Sequence, residues 1–152
     1  MTHVARLGAG DRLKAKRLFS MMAEVFEESH EDLGDDYVDG LLARADFWAL
    51  AAFSGGDVVG GLTAHTLPMT RARSREIFIY DVAVRVDHQR RGVGRQLVQH
   101  LRQAAATAGV GDVFVPADDD DHHALEFYRA LGGEAAPVTF FTFSGGSGPG
   151  GE

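Results

Sequence analysis

Three groups of residues in this sequence are of types and spacings that could do chemistry. The first is Gln89-Arg90-Arg91-Gly92-Val93-Gly94, directly after the apolar run Ile77-Phe78-Ile79-Tyr80-Asp81-Val82-Ala83-Val84. A strand, a short turn and a glycine-containing helix start leave a cluster of backbone N–H groups without intrahelical partners. Such a cluster binds phosphate: the donors are held in place, the helix dipole is positive there, and Arg90, Arg91 and Arg95 add charge. Glycine at positions 92 and 94 removes side chains that would hold a pyrophosphate away from the backbone. The second is Asp81, a carboxylate set in an apolar strand. Desolvation would raise its pKa and suit it to deprotonating an ammonium; the other reading is a carboxylate tied to backbone amides at a bulge. The third is Tyr128, whose phenol, with a pKa of about 10, could act as a general acid. In Phe127-Tyr128 it could equally be an amphipathic helix residue with its hydroxyl at the surface.

Other glycine-loop chemistries fit less well. A dinucleotide fingerprint needs a third glycine where Gln96-Leu97 stand, and a P-loop needs a Gly-Lys pair that the sequence lacks. Two acidic clusters complete the inventory: Glu27, Glu28, Glu31, Asp32, Asp35 and Asp36, and the tighter Asp118-Asp119-Asp120-Asp121. Either could face a cationic ligand, or be a solvated loop or cap. His122 and His123 follow the second cluster but are adjacent rather than spaced toward one point, so no metal site is expected.

These residues must be positioned by the elements around them. Leu13, Leu18, Met22 and Val25/Phe26 recur at helical spacing, predicting a helix over 11–28 with Asp11 as its cap. A second short helix is expected over 36–44, with Tyr37, Leu41 and Leu42 inward. Residues 47–53 and 58–66, separated by Ser54-Gly55-Gly56-Asp57, read as a β-hairpin. Glu76 to Val84 is apolar on both parities, predicting a strand buried on both faces. The stripe Val93, Leu97, Val98, Leu101, Ala104, Ala108 predicts a helix ending at Gly109. A strand over 110–115, an acidic loop, a helix over 122–131 stopped by Gly132-Gly133, and a last strand over 138–143 follow. The order implies an α/β sheet, antiparallel at first, with a β-α-β unit in its second half. Residues 1–143 read as one domain and 144–152 as a flexible Gly/Ser-rich tail.

The chain has 152 residues, enough to bury a core without disulfides or metal, and no cysteine. Neither a leader peptide nor a membrane span is expected, and a cytoplasmic location fits the missing cysteines. A formal net charge of −7 disfavours nucleic acid and favours a cationic partner.

The pattern Q-x-x-G-x-G at 89–94, with the preceding strand and Ala124-Leu125-Glu126-Phe127-Tyr128-Arg129-Ala130-Leu131-Gly132-Gly133, resembles the GNAT N-acetyltransferase superfamily. Glu76 to Val84, Phe47 to Phe53 and Ala117-Asp118 are similar to the type I aminoglycoside 3-N-acetyltransferases, a likeness running from about Arg6 to Phe143. The loop departs in one respect: Gln89-Arg90-Arg91 stands where Arg-Arg-Gln is expected, which matters little where backbone amides bind.

The resemblance implies a GNAT fold, in which a mixed central sheet splays at a bulged strand and carries helices on both faces. It implies acetyl-CoA as donor, held by Val82, Ala83 and Val84, by Gln89, Arg90, Arg91, Gly92, Val93, Gly94 and Arg95, and by Phe127 and Tyr128. The N–H of Val82 would polarise the thioester, Tyr128 would protonate the thiolate, and Asp81 would position and deprotonate the amine. Asp35, Asp36, Glu76, Tyr80, Asp81, Asp118, Asp119 and Asp120 would line the acceptor site. The activity implied is acetyl transfer to the 3-amino group of aminoglycosides, by a homodimer. Another cationic amine, such as a polyamine, amino acid or protein N-terminus, remains an alternative acceptor. A non-catalytic acyl-CoA sensor and a nucleotide-binding protein are more distant readings.

Overall fold

The computed structural model describes residues 1–145. Five strands form one sheet in the order β1-β2-β3-β4-β5: β1 (Thr2–Arg6), β2 (Phe47–Ser54), β3 (Asp57–Pro68), β4 (Arg75–Val84) and β5 (Val113–Phe114). The first four pair antiparallel and β4 pairs parallel with β5, so the sheet is mixed. The helices are α1 (Arg12–Val25), α2 (Asp35–Leu42), α3 (Val93–Thr107) and α4 (His122–Ala130). The chain divides into two compact units, Met1–Pro116 and Ala117–Glu152.

In the first unit the sheet has a helix layer on each face. Ala49, Ala51, Phe53 and Ala83 meet Ala15, Leu18, Met21 and Met22 of α1 and Val38 and Leu42 of α2. On the opposite face Val93 and Leu97 of α3 reach Gly60. Two glycines at the sheet centre permit this sandwich. A Cβ on Gly60 would stand 2.7 Å from Val93 Cγ1, and one on Gly61 2.1 Å from Leu18 Cδ1. Leu18, Leu97 and Leu101 are fully buried, each contributing roughly 1.5–3 kcal/mol of apolar transfer free energy. Trp48 is satisfied in the core, its Nε1 donating to Thr66 Oγ1 at 2.8 Å.

Several expectations are corrected. β1 was not anticipated: Thr2 to Arg6 is too short and too polar to announce itself, and it forms by pairing with β2. Tyr37 points outward and Val38 inward, because the apolar face of α2 is set by Val38 and Leu42 four residues apart. Leu13 is 70 % exposed, off the stripe through Ala15, Leu18 and Met22. Asp11 stands at the N-cap of α1 as expected but makes no side-chain cap bond; its Oδ2 accepts from the Gly8 N–H at 2.8 Å and closes the preceding turn. β4 is buried on both faces, at Ile77 and Ile79 on one and at Ala83 on the other, but not along its whole length: Tyr80 is 63 % exposed. β5 keeps two residues of the six expected.

In the second unit α4 is capped as its sequence suggests. Asp121 Oδ1 accepts from Ala124 N–H at 3.1 Å, so the last aspartate of the acidic run is a helix cap. The helix stops at Gly132, with φ 94°, where Gly132 and Gly133 donate back to Arg129 and Tyr128 at 2.9 and 3.0 Å. The strand expected over 138–143 is absent: these residues form no regular element, and Val138, Phe140, Phe141 and Phe143 are exposed. Its sequence favours a strand, but this unit offers it no strand to pair with. The expected tail lies outside the described residues from position 146 onward.

Candidate active site

The glycine loop sits where its sequence places it, at the start of α3. A short 3-10 turn, Val86–His88, leads from β4 into it. Arg90 and Gly92 both take left-handed backbone, φ 64° and 80°, and Gly92 is the N-cap of α3. Glycine suits that conformation; Arg90 adopts it against a steric penalty, which makes the loop a strained segment. The first intrahelical bond is Gln96 N–H to Gly92 O at 3.0 Å, so the N–H groups of Val93, Gly94 and Arg95 have no acceptor within the helix. Arg90, Arg91 and Arg95 are exposed around them. This is an anion cradle of backbone donors ringed by guanidinium groups, and it fits a pyrophosphate.

Side chains brace the cradle. Gln89 Nε2 donates to the carbonyl of Val84 at 3.0 Å, so its amide holds the loop to the strand. Asp87 accepts from Arg85 Nη2 at 2.7 Å and lies 3.0 Å from His88 Nδ1. Those two partners, His88 first, hold the Asp87 carboxyl below its usual range.

The end of β4 presents an open edge to the same loop. Val113 and Phe114 pair with Ile77 and Phe78 only, leaving Ile79 to Val84 without a strand on that side among the described residues. Arg85 N–H donates to Val59 O, toward β3, at 2.8 Å. Antiparallel alternation then turns the backbone of Ala83 toward β3 and those of Val82 and Val84 outward. Val82 and the Val84 N–H therefore face outward, toward where an extended ligand could pair, while the Val84 carbonyl is taken by Gln89. Ala83 has its side chain buried in the core beneath α1 and pairs with Gly61 of β3.

The splay has a specific origin. Asp81 lies opposite Thr63 and Ile79 opposite Ala64, so Tyr80 is an extra residue with no counterpart on β3. The pairings Gly61–Ala83, Thr63–Asp81 and His65–Phe78 put Asp81 on the α1/α2 face of the sheet. Asp81 is half-buried and accepts no hydrogen bond among the described residues. Desolvation, with a smaller contribution from Glu28, raises its pKa. Glu28 arrives there because α1 ends with Glu27 in left-handed backbone, φ 55°, and Glu28 N–H folds back to Ala23 O at 3.0 Å. Glu28 itself remains exposed, as a member of a solvated acidic cluster would be. Glu76 and Tyr80 lie on the same strand, half-exposed and exposed.

The remaining acidic residues divide. Asp35 is engaged within the first unit, its carboxylate paired with Lys16 and Arg12, and those partners hold its pKa low. Asp36 is exposed in the first turn of α2, without an ion pair among the described residues. In the second unit Asp118, Asp119 and Asp120 are exposed ahead of α4, and the half-buried rings of Phe127 and Tyr128 meet at 5.0 Å between centroids.

Residues 15–132 match the acetyltransferase (GNAT) family. The chain belongs to that family. GNAT enzymes use acetyl-CoA as acetyl donor, and the cradle and open strand edge are where the chain can hold its pyrophosphate and its extended arm. An aminoglycoside acetyltransferase from an uncultured soil metagenomic sample, solved with trehalose, is 31 % identical, with TM-score 0.87 over 95 % of this chain and 97 % of that one. Its sisomicin complex superposes at TM-score 0.88 with 29 % identity, covering 95 % and 97 %. N-acetyltransferase family 8 member 3 of Mus musculus is 25 % identical over 115 residues, 75 % of this chain and 50 % of that protein. The [ribosomal protein bS18]-alanine N-acetyltransferase of Salmonella typhimurium is 33 % identical over 63 residues, 41 % of this chain and 43 % of that protein. The chain thus spans about half the length of the curated relatives it matches. No helix among the described residues is long and apolar enough to cross a membrane.

Proposed function

We propose that this GNAT acetyltransferase acts on the 3-amino group of aminoglycoside antibiotics and so confers resistance. The observation that carries the reading is Asp81: a half-buried carboxylate without a hydrogen bond among the described residues, on the strand whose outward edge fits the donor. Structural likeness to soil aminoglycoside acetyltransferases supports the choice of acceptor.

Acetyl-CoA supplies an activated acetyl group. Val82 N–H donates to the carbonyl oxygen on which negative charge develops, and the amides of 90–95 hold the pyrophosphate. Asp81 takes the proton of the acceptor ammonium, directly or through water, leaving a neutral amine to form the C–N bond. As the C–S bond breaks, Tyr128 Oη gives its proton to the thiolate, and the second proton shed by the new amide nitrogen returns through water to the tyrosinate. Asp81 and Glu28 together attract a polycation.

A thiol-release assay with acetyl-CoA against gentamicin, fortimicin, kanamycin and spermidine tests this. Preferred turnover of gentamicin and fortimicin, with mass and NMR analysis locating the acetyl group on the 3-amino nitrogen, is the expected result. Turnover of spermidine alone, or of an N-terminal alanine peptide as the bS18-alanine relative suggests, would move the acceptor to another amine.

A further inference from the structure

Beside Asp81 runs a ladder of rings that the chemistry above does not use. Phe47 of β2, His65 of β3, Tyr80 and Phe78 of β4 and Phe114 of β5 follow one another across the sheet. Centroid separations are 5.4 Å for Phe47–His65, 6.1 Å for His65–Tyr80, 5.9 Å for Phe78–Tyr80 and 5.3 Å for Phe78–Phe114. The ladder is graded in exposure: Phe47 is in the core, His65 and Phe78 are half-buried, Phe114 is 42 % and Tyr80 63 % exposed. Tyr80 is the bulge residue, and its ring stands at 89° to His65 and 86° to Phe78. The two contacts fix the orientation of a large ring whose surface is left open to solvent.

We propose that Tyr80 is a stacking platform for the saturated ring of the acceptor, that His65 is the residue positioning it, and that together they select a rigid cyclic polyamine over a linear one. This rests on the aminoglycoside reading above. An aminocyclitol presents an apolar C–H face and ammonium groups at its edge. The face matches an aromatic ring, and the ammonium matches the Asp81 carboxylate next in sequence to Tyr80 and the electron-rich ring face. A linear polyamine satisfies the same charges but must freeze more rotors against a flat surface. The bulge sets the relationship: without the extra residue Tyr80 would alternate to the opposite face from Asp81. His65 buttresses Tyr80 against the core through Phe47.

Steady-state kinetics of the full chain with gentamicin and with spermidine test the platform. Tyr80→Leu is expected to raise the gentamicin KM about tenfold, with kcat and the acetyl-CoA KM changed by less than about twofold. Tyr80→Phe restores the wild-type KM, because the ring and not the hydroxyl is required. His65→Leu raises the gentamicin KM about threefold, and His65→Phe recovers it. The spermidine KM stays within about twofold throughout, so the preference for the cyclic acceptor narrows. Tyr80 is exposed, so its variants keep the fold, which circular dichroism verifies. A gentamicin KM unchanged in Tyr80→Leu, or a loss confined to kcat, overturns the platform and leaves the aminoglycoside reading standing. A wild-type protein that binds CoA but acetylates no aminoglycoside overturns both.

Discussion

Gln89 donates its side-chain amide to the Val84 carbonyl at 3.0 Å, fastening the first residue of the glycine loop to the last residue of β4. The bond ties the anion cradle to the end of β4, so on the proposed binding mode one side chain sets the spacing between the groups that would hold the pyrophosphate and those that would hold the extended arm. A net hydrogen bond of about 1 kcal/mol predicts that Gln89→Ala raises the acetyl-CoA KM roughly fivefold while kcat at saturating donor is retained. Initial-rate kinetics with varied acetyl-CoA check this. A loss of kcat with unchanged KM would mean that Gln89 acts on the chemistry instead.

Asp81 gives a pH dependence of definite sign. Its folded pKa lies above the ordinary 3.8, through desolvation first and Glu28 second. Over the interval between the two values the native carboxyl still holds the proton that the unfolded chain has released. Stability therefore falls as pH rises through that interval. Asp81→Asn is expected to match the wild type in Tm at pH below 3.8 and to equal or exceed it at neutral pH, while losing most turnover. Thermal melts across pH measure the first effect. The acidic limb of kcat/KM, present in the wild type and missing from the variant, measures the second. Full turnover in a folded Asp81→Asn protein would assign the residue a structural role only.

Gly61 marks the tightest approach of α1 to the sheet. Its added Cβ would lie 2.1 Å from Leu18 Cδ1, 3.2 Å from Leu18 Cγ and 3.1 Å from Met22 Sδ. Leu18 is fully buried, so moving it aside disturbs packed core. Gly61→Ala should destabilise by about 1–3 kcal/mol, read as a lower urea midpoint at unchanged m. A midpoint equal to the wild type would show that α1 can lift without penalty.

Glu27 ends α1 in the way that Gly132 ends α4, with the next residue's N–H folding back five residues, to Ala23 O and Tyr128 O, both at 3.0 Å. Only one of the two is glycine. A left-handed non-glycine residue costs about 1–2 kcal/mol, partly offset by the larger chain entropy of glycine when unfolded. Glu27→Gly should therefore stabilise by up to about 1 kcal/mol, without moving Glu28, and turnover should be unchanged. Chemical denaturation and the thiol assay, run on the same preparation, check both halves.

Much of the architecture was legible because it depends on local periodicity. The stripe from Val93 to Leu101, the turn at Ser54 to Asp57, and glycine after the last periodic residue of α3 and α4 each declare themselves within a few residues. Elements that depend on a partner did not. β1 is a strand because β2 lies beside it, and residues 138–143 are not one because their unit supplies no neighbour. Val38 replaced Tyr37 on the inner face of α2 because volume and polarity at the contact, not hydrophobicity alone, choose the buried residue.

The sequence by itself determined the phosphate loop: backbone donors at a helix start are a local property, and Gln89 to Arg95 specify them directly. It determined equally that a carboxylate would stand in an apolar strand. What that carboxylate meets was decided by tertiary structure. The extra residue at Tyr80 changes the register between β3 and β4, a property of two strands at once, and only that register turns Asp81 and Tyr80 to one face beside His65. The left-handed ending at Glu27 then brings Glu28 toward Asp81, across a distance in sequence over which no periodicity carries information.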